Sequence, residues 1–371
     1  MMRENERSLY PLRFEPQVTD TGWGKETLLI GDLGFAESVV VNGWLEESSL
    51  EDILETYLER VVGDNVYSYY GRQFPLMVKK ISVTGKMPVT VCPDDRTAEE
   101  RYDTLGKFKL WYVLDAEPGS RLEMGFSRAL AASELYERCQ QGSLEEVLNH
   151  VTPVRGDVFL IPPGLVHSAA DGVTLLEITE SSDLDFRIYG SQQPAAVGFT
   201  PEYYEGIKNN ISTDVEELSL EAAFDFIDMG AYDPSLRLRE RGQYRGRTSG
   251  SKAITERLCS RDELDVTKIN LGDPLNIGND MFDGFIVYVA VSGQLSLQVK
   301  LSDGRLEEHI VNAGEAILVP ADVQEYYLVP RKTGTVLLEA VTRRSEEADA
   351  YIDPEAEATL PGEDYEGTIL N

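Results

Sequence analysis

Short β-branched and aromatic runs, each closed by Gly or Pro, recur along most of the chain. They predict strands at residues 38–41, 76–83, 110–114, 158–161, 173–178, 285–291 and 316–319. Helical periodicity is rarer. In SSLEDILETYLERVV, Ser48 with Glu51 three residues on forms a capping box, and Leu50, Ile53, Leu54, Tyr57, Leu58 and Val61 follow at helical spacing. The stretch 127–150 reads as two short helices broken at Gly142, and SLEAAFDFIDMG as a helix closed by Gly230. Residues 233–252, rich in Arg and Gly and without periodicity, read as a linker. The tail after Arg344 is acidic and carries Pro354 and Pro361.

One pattern occurs twice. GDVFLIPPGLVHSA begins at Gly156 and GEAILVPADVQEYY at Gly314; in each, Gly and an acid open a turn, an apolar strand follows, and a proline ends it. Upstream of each lies another strand ending in a turn glycine, Gly119 or Gly293. Matching the punctuation sets His167 opposite Glu325, which predicts no metal in the second copy and a role in structure or partner contact. Two such units predict a mainly β chain of two jelly-roll barrels. The first covers 1–200, with a helical insertion near 127–150. A helical segment and linker cover 201–250, the second barrel 251–345, and an acidic tail 346–371.

With 371 residues the chain can bury a large core, and 42% apolar with 27% charged residues is ordinary for a globular protein. A net charge of −31 opposes nucleic acid and anionic membranes as partners. It equally means that a phosphorylated ligand needs a local basic pocket. The start MMRENERSLYPLRF lacks the apolar core of a signal peptide, and no apolar run is long enough to span a membrane. Cys92, Cys139 and Cys259 have neither disulfide nor zinc-knuckle spacing. Together these features predict a cytoplasmic protein.

The segments FPLMVKKISVTGKMPVTVCPDD (74–95), GKFKLWYVLDAEPGSRLEMG (106–125) and VRGDVFLIPPGLVHSAADGVTLLEITESSDLDFRIYG (154–190), with the weaker YPLRFEPQVTDTGWGKE (10–26), resemble the type I mannose-6-phosphate isomerases of the cupin superfamily. The C-terminal barrel matches that family only at the level of fold. The resemblance implies two cupin barrels and interconversion of mannose 6-phosphate and fructose 6-phosphate at one zinc ion. The metal polarises the carbonyl and stabilises the enediolate. The family's metal ligands are Gln, His, Glu and His. Carried over one by one, they fall on Thr90, Cys92, Lys109 and His167, so three of four positions are altered. Cys92 can still ligate as a thiolate, but the Lys109 ammonium has no lone pair and repels a cation. Zinc is therefore expected to be absent or bound in a non-standard way through His167 and Cys92. Arg187 and Lys107 are the catalytic candidates that the resemblance implies, Lys109 joins them because its ammonium could stand where the cation sat, and Lys79, Lys107 and Arg187 are the substrate-binding ones. A small phosphorylated sugar is the expected partner.

Plainer roles compete. His167 alone suits a hydrogen-bonded barrel residue, Cys92 a small buried hydrophobe, and Asp94 and Asp95 a turn. Asp94, Asp95, Glu177, Glu180 and Asp185 are the candidate general bases, unranked by spacing. Three functions stay open at this point: an aldose-ketose isomerase without its usual metal, a sugar-phosphate-binding or regulatory protein, and a scaffold. Convergence of Lys107, Lys109 and Arg187 on one barrel mouth would favour the first two.

Overall fold

Apolar alternation lays most of the chain into antiparallel ladders. The computed structural model describes residues 7–33, 36–190, 220–238, 253–278, 282–300 and 305–344. The first barrel has a seven-stranded sheet in the order Gln17–Thr21, Gly24–Ile30, Leu76–Val83, Val173–Glu180, Lys109–Ala116, Val158–Ile161, Arg237–Leu238. Facing it is a five-stranded sheet ordered Phe186–Tyr189, Val89–Val91, His167–Ala170, Arg121–Phe126, Leu148–Val151. The second barrel pairs a five-stranded sheet (Ile254–Ser260, Asp265–Leu271, Thr335–Val341, Ile286–Ser292, Ala316–Val319) with a four-stranded one (Leu275–Gly278, Glu325–Pro330, Gln294–Lys300, Leu306–Asn312). The mainly β, two-barrel cupin expectation is met.

The internal repeat is structural as well as textual. Gly156 and Gly314 take φ of 90° and 89°, where a β-carbon is strained. After each glycine, the acid's carboxylate accepts the backbone N–H three residues before it: Val154 to Asp157 and Asn312 to Glu315, both at 2.9 Å. The next strands, Val158–Ile161 and Ala316–Val319, pair with Lys109–Ala116 and Ile286–Ser292. The His167–Glu325 match needs a correction of one residue. Both open a strand, but His167 is buried inside its barrel while Glu325 is exposed, and Tyr326 takes the interior place. The period-2 alternation of a strand turns a one-residue slip into a change of face.

Several predicted strands agree closely with those found, including Leu76–Val83, Val158–Ile161 and Ala316–Val319. Residues 38–41 form only isolated bridges. The first helix is capped by Ser49 rather than Ser48; its hydroxyl accepts from Asp52 N at 3.0 Å. That helix, Leu50–Tyr57, ends where Leu58 turns to φ 48°, and Glu59–Val62 restarts it. Of the insertion at 127–150, Ala132–Gln141 is helical and closes on left-handed Gly142, as expected. The second half is only a 3₁₀ turn, Leu144–Glu146, before strand Leu148–Val151. Arg237–Leu238, assigned to the linker, extends the first barrel's sheet instead. Pro234–Leu236, also assigned to the linker, form a 3₁₀ turn capped by Asp233; linker residues 239–252 and the acidic tail lie outside the described residues.

One apolar cluster joins the barrels. Leu12, Phe74, Leu258, Phe285, Val287, Leu318 and Leu338 are buried in it, with the helical residues Leu50, Ile53 and Leu54. The Phe74 and Phe285 rings meet at 4.7 Å between centroids. This seam leaves the first barrel's interior to a separate cluster around Trp111, Leu122, Met124 and Phe159.

Candidate active site in the first barrel

Strand register carries the polar residues of the first barrel to one place. Glu177 lies opposite Trp111 on one side and Lys79 on the other, and Lys109 stands two residues before Trp111. Residues opposite one another share a face, as do residues two apart, so all four point into the barrel. From the facing sheet, Thr90 pairs with both His167 and Arg187, which places those three on the inner face too. Trp111 and His167 meet edge to face at 5.3 Å.

Glycine sets the local fit of the metal-type segment. Gly164 has φ +84°, and a β-carbon there would stand 2.7 Å from the Phe226 carbonyl oxygen. Its N–H donates to the Cys92 carbonyl at 2.9 Å, which ties the two candidate metal-ligand segments together.

Asp185 is the hub. Lys107 Nζ donates to its Oδ2 at 2.5 Å, Lys109 Nζ donates to its Oδ1, and the Cys92 thiol donates to the same Oδ1 at 3.1 Å. Lys109 Nζ also lies 3.7 Å from Glu177 Oε2, which accepts the Trp111 indole N–H at 2.7 Å. Lys79 pairs with Glu26 at 3.4 Å. The Lys107 and Lys109 side chains are 1% and 5% exposed, so these charges are desolvated and depend on their partners. Within the expected basic patch, Lys107 and Lys109 are thus met by Asp185 and Glu177, and neighbouring Lys79 by Glu26.

The protonation states follow. Burial raises the Asp185 carboxyl, but Lys107 and Lys109 outweigh it and hold the group well below the usual carboxylate range. Burial depresses Lys109, yet Asp185 and Glu177 more than offset this and keep its ammonium well above its ordinary value. His167 is pushed down to about 4, first by burial and then by Lys109. It is a neutral imidazole at pH 7. Its Nδ1 lies 2.9 Å from the Leu165 carbonyl oxygen and so carries the hydrogen, which leaves the Nε2 lone pair to accept from Thr90 Oγ1 at 3.2 Å. The Cys92 thiol is raised by burial and by Asp185, so it stays protonated.

The structure therefore brings together Thr90, Cys92, Lys107, Lys109 and His167, with Lys79 one strand beyond Glu177 and Arg187 across from Thr90. Asp94 and Asp95 are not part of the cluster. Asp94 caps helix Asp95–Tyr102 through Thr97 N at 2.8 Å, and Asp95 accepts from Gly106 N at 2.9 Å and from Arg344. Glu180 accepts the Phe108 N–H at 2.8 Å. Of the five candidate bases only Glu177 and Asp185 reach the site. Glu26 and Trp111 were not legible in the sequence; Glu26 meets Lys79 from the neighbouring strand but stands 53 residues before it, which leaves no local signal. Among the described residues, Cys92, His167 and Asp185 form the one group of three metal-competent side chains whose ligand atoms lie within 4.8 Å of one another.

No family model matches the chain. Mannose-6-phosphate isomerase ManA of Bacillus subtilis is 28% identical over 207 residues, covering 51% of this chain and 63% of its own length. A mannose-6-phosphate isomerase of Streptococcus mutans is 31% identical over 152 residues, covering 41% and 46%. The matches thus span about half to under two thirds of the curated relatives. Among solved structures, the mannose 6-phosphate isomerase from Bacillus subtilis superposes with a TM-score of 0.70 at 19% identity, over 90% of this chain and 99% of that one. A variant phosphomannose isomerase from Salmonella typhimurium gives 0.60 at 14%, over 90% and 99%. The chain thus shares its two-barrel fold with solved mannose 6-phosphate isomerases, and over about half of its length it is similar in sequence to curated mannose-6-phosphate isomerases.

Proposed function

We propose that the first barrel binds a sugar phosphate. We propose further that the Lys109 ammonium occupies the seat of the family's zinc ion, leaving mannose 6-phosphate/fructose 6-phosphate isomerisation slow or lost. The observation that carries this reading is the pairing of Lys109 with both Asp185 and Glu177 beside His167 and Cys92. A cation already sits among the ligand positions, so a divalent ion would meet a buried positive charge. The remaining donors suit zinc poorly. Cys92 is held as a thiol, and both Asp185 oxygens are engaged by lysines.

What these residues offer a sugar phosphate is electrostatic. Lys109 and Lys107 present donors to a carbonyl or hydroxyl oxygen, and Arg187, on the same face, offers a planar guanidinium to an anionic group. An ammonium stabilises a developing oxyanion less than a divalent metal does, hence the slow or absent turnover. One observation favours residual catalysis over pure binding: neutral His167 keeps an unprotonated Nε2 on the inner face, where it accepts from the Thr90 hydroxyl.

The test is metal content of protein purified without chelator or added metal, with mannose 6-phosphate binding by calorimetry and isomerisation with and without zinc. Little zinc, saturable binding and no zinc-dependent turnover are expected. About one zinc per chain with zinc-dependent turnover would overturn the displaced-metal reading. Absence of binding would overturn the sugar-phosphate reading.

A further inference from the structure

We infer that the second barrel carries its own small-molecule site, one for an uncharged polyhydroxylated ligand such as a hexose. A cavity of about 380 Å³ opens there, lined in part by Asp265, Thr267, Ile277, Ile286, Phe282 and Glu339. That volume lies within the roughly 300–1,000 Å³ usual for small-molecule sites. This inference stands apart from the proposed function, which concerns the first barrel.

The register shows why space exists at this point. Tyr288 faces Glu339 across its ladder as Trp111 faces Glu177, and the hydrogen bond recurs: Tyr288 OH donates to Glu339 Oε2 at 2.8 Å. Tyr326 meets Tyr288 edge to face, as His167 meets Trp111. Two residues before Tyr288, Ile286 stands where the first barrel has Lys109; opposite Glu339, Thr267 stands where it has Lys79. Two long lysines are thus replaced by shorter side chains, and the volume they fill in the first barrel is open in the second.

The lining indicates the ligand's chemistry. Glu339 and Asp265 are 6% and 3% exposed, and carboxylate oxygens in such a wall accept hydrogen bonds from hydroxyl groups. Asp265 is already matched by Arg343 at 2.5 Å and by Arg257 Nε at 3.1 Å, so the wall does not call for a cation. Arg343, which also lines the cavity, is taken up by Asp265, and the buried carboxylates with the chain's net charge of −31 disfavour an anion. Ile277, Ile286 and Phe282 supply an apolar face for the C–H side of a sugar ring, beside the Thr267 hydroxyl.

The test is a titration of the full chain with D-mannose to about 50 mM, read by isoleucine methyl NMR. The Ile277 and Ile286 methyls should shift saturably while Ile81 and Ile161, inside the first barrel, stay put. Thr267→Phe, which fills the cavity, should weaken that binding by about tenfold or more. Unmoved Ile277 and Ile286 methyls, or shifts confined to Ile81 and Ile161, would overturn the inference. So would undiminished binding by folded Thr267→Phe; if that variant does not fold, the wild-type methyl map decides.

Discussion

Lys109→Glu restores the carboxylate that the family resemblance places at this position and removes the ammonium from its two partners. In the metal-free protein, Asp185 and Glu177 would then face a third acid, with Lys107, Lys79 and Arg187 as the cations on the same face. Removing one member of a buried pair costs about 3–5 kcal/mol because the partner stays buried and uncompensated. The lower end applies here, since the Asp185 side chain is 26% exposed although Glu177 is only 5% exposed. At the 2–4 °C per kcal/mol typical of units this size, a loss of about 3 kcal/mol is a fall of about 6–12 °C in Tm. Crowded carboxylates also hold protons, so the loss should grow as pH rises. Zinc should reverse it: ligand at about 100 times Kd returns about 2.7 kcal/mol to the folded state. The assay is thermal unfolding of wild type and variant, each with chelator and with zinc. A variant as stable as wild type in chelator would refute the argument, as would wild-type protein stabilised by zinc as strongly as the variant.

Other outcomes follow from the same groups. Glu180 is raised to about 8, mainly by burial and then by Asp95. The folded state therefore binds a proton that the unfolded chain releases near its usual value, and stability should fall as pH rises from about 4.5 to 8. Glu180→Gln should flatten that slope in denaturant titrations, and an unchanged slope would count against it. His167 should remain neutral, with hydrogen on Nδ1, until pH nears 4, as read by imidazole nitrogen shifts; protonation near 6.5 would contradict its burial beside Lys109. Gly164→Ala should cost about 2 kcal/mol or more through its left-handed backbone and the close Phe226 oxygen, and an unshifted Tm would sink that reading.

The chain's pattern alone determined a good deal. Strand positions such as Leu76–Val83 and Val158–Ile161 were legible because the β-branched runs end in Gly and Pro, whose backbone limits are local. The repeated glycine-acid turn was legible for the same reason: Asp157 and Glu315 each bond a backbone N–H three residues away. The inner face of the first site could be read from residues two apart, as with Lys107 and Lys109. Other features depended on residues distant in sequence. Whether the lysines made a bare basic patch turned on Asp185, which arrives from the segment before Phe186–Tyr189, and on Glu177 and Glu26 from neighbouring strands. The one-residue slip that turns Glu325 outward and Tyr326 inward came from strand pairing, since a period of two converts a shift of one into the opposite face. Charge balance and open volume are sums over everything packed at one point, and only the folded chain brings those residues to that point.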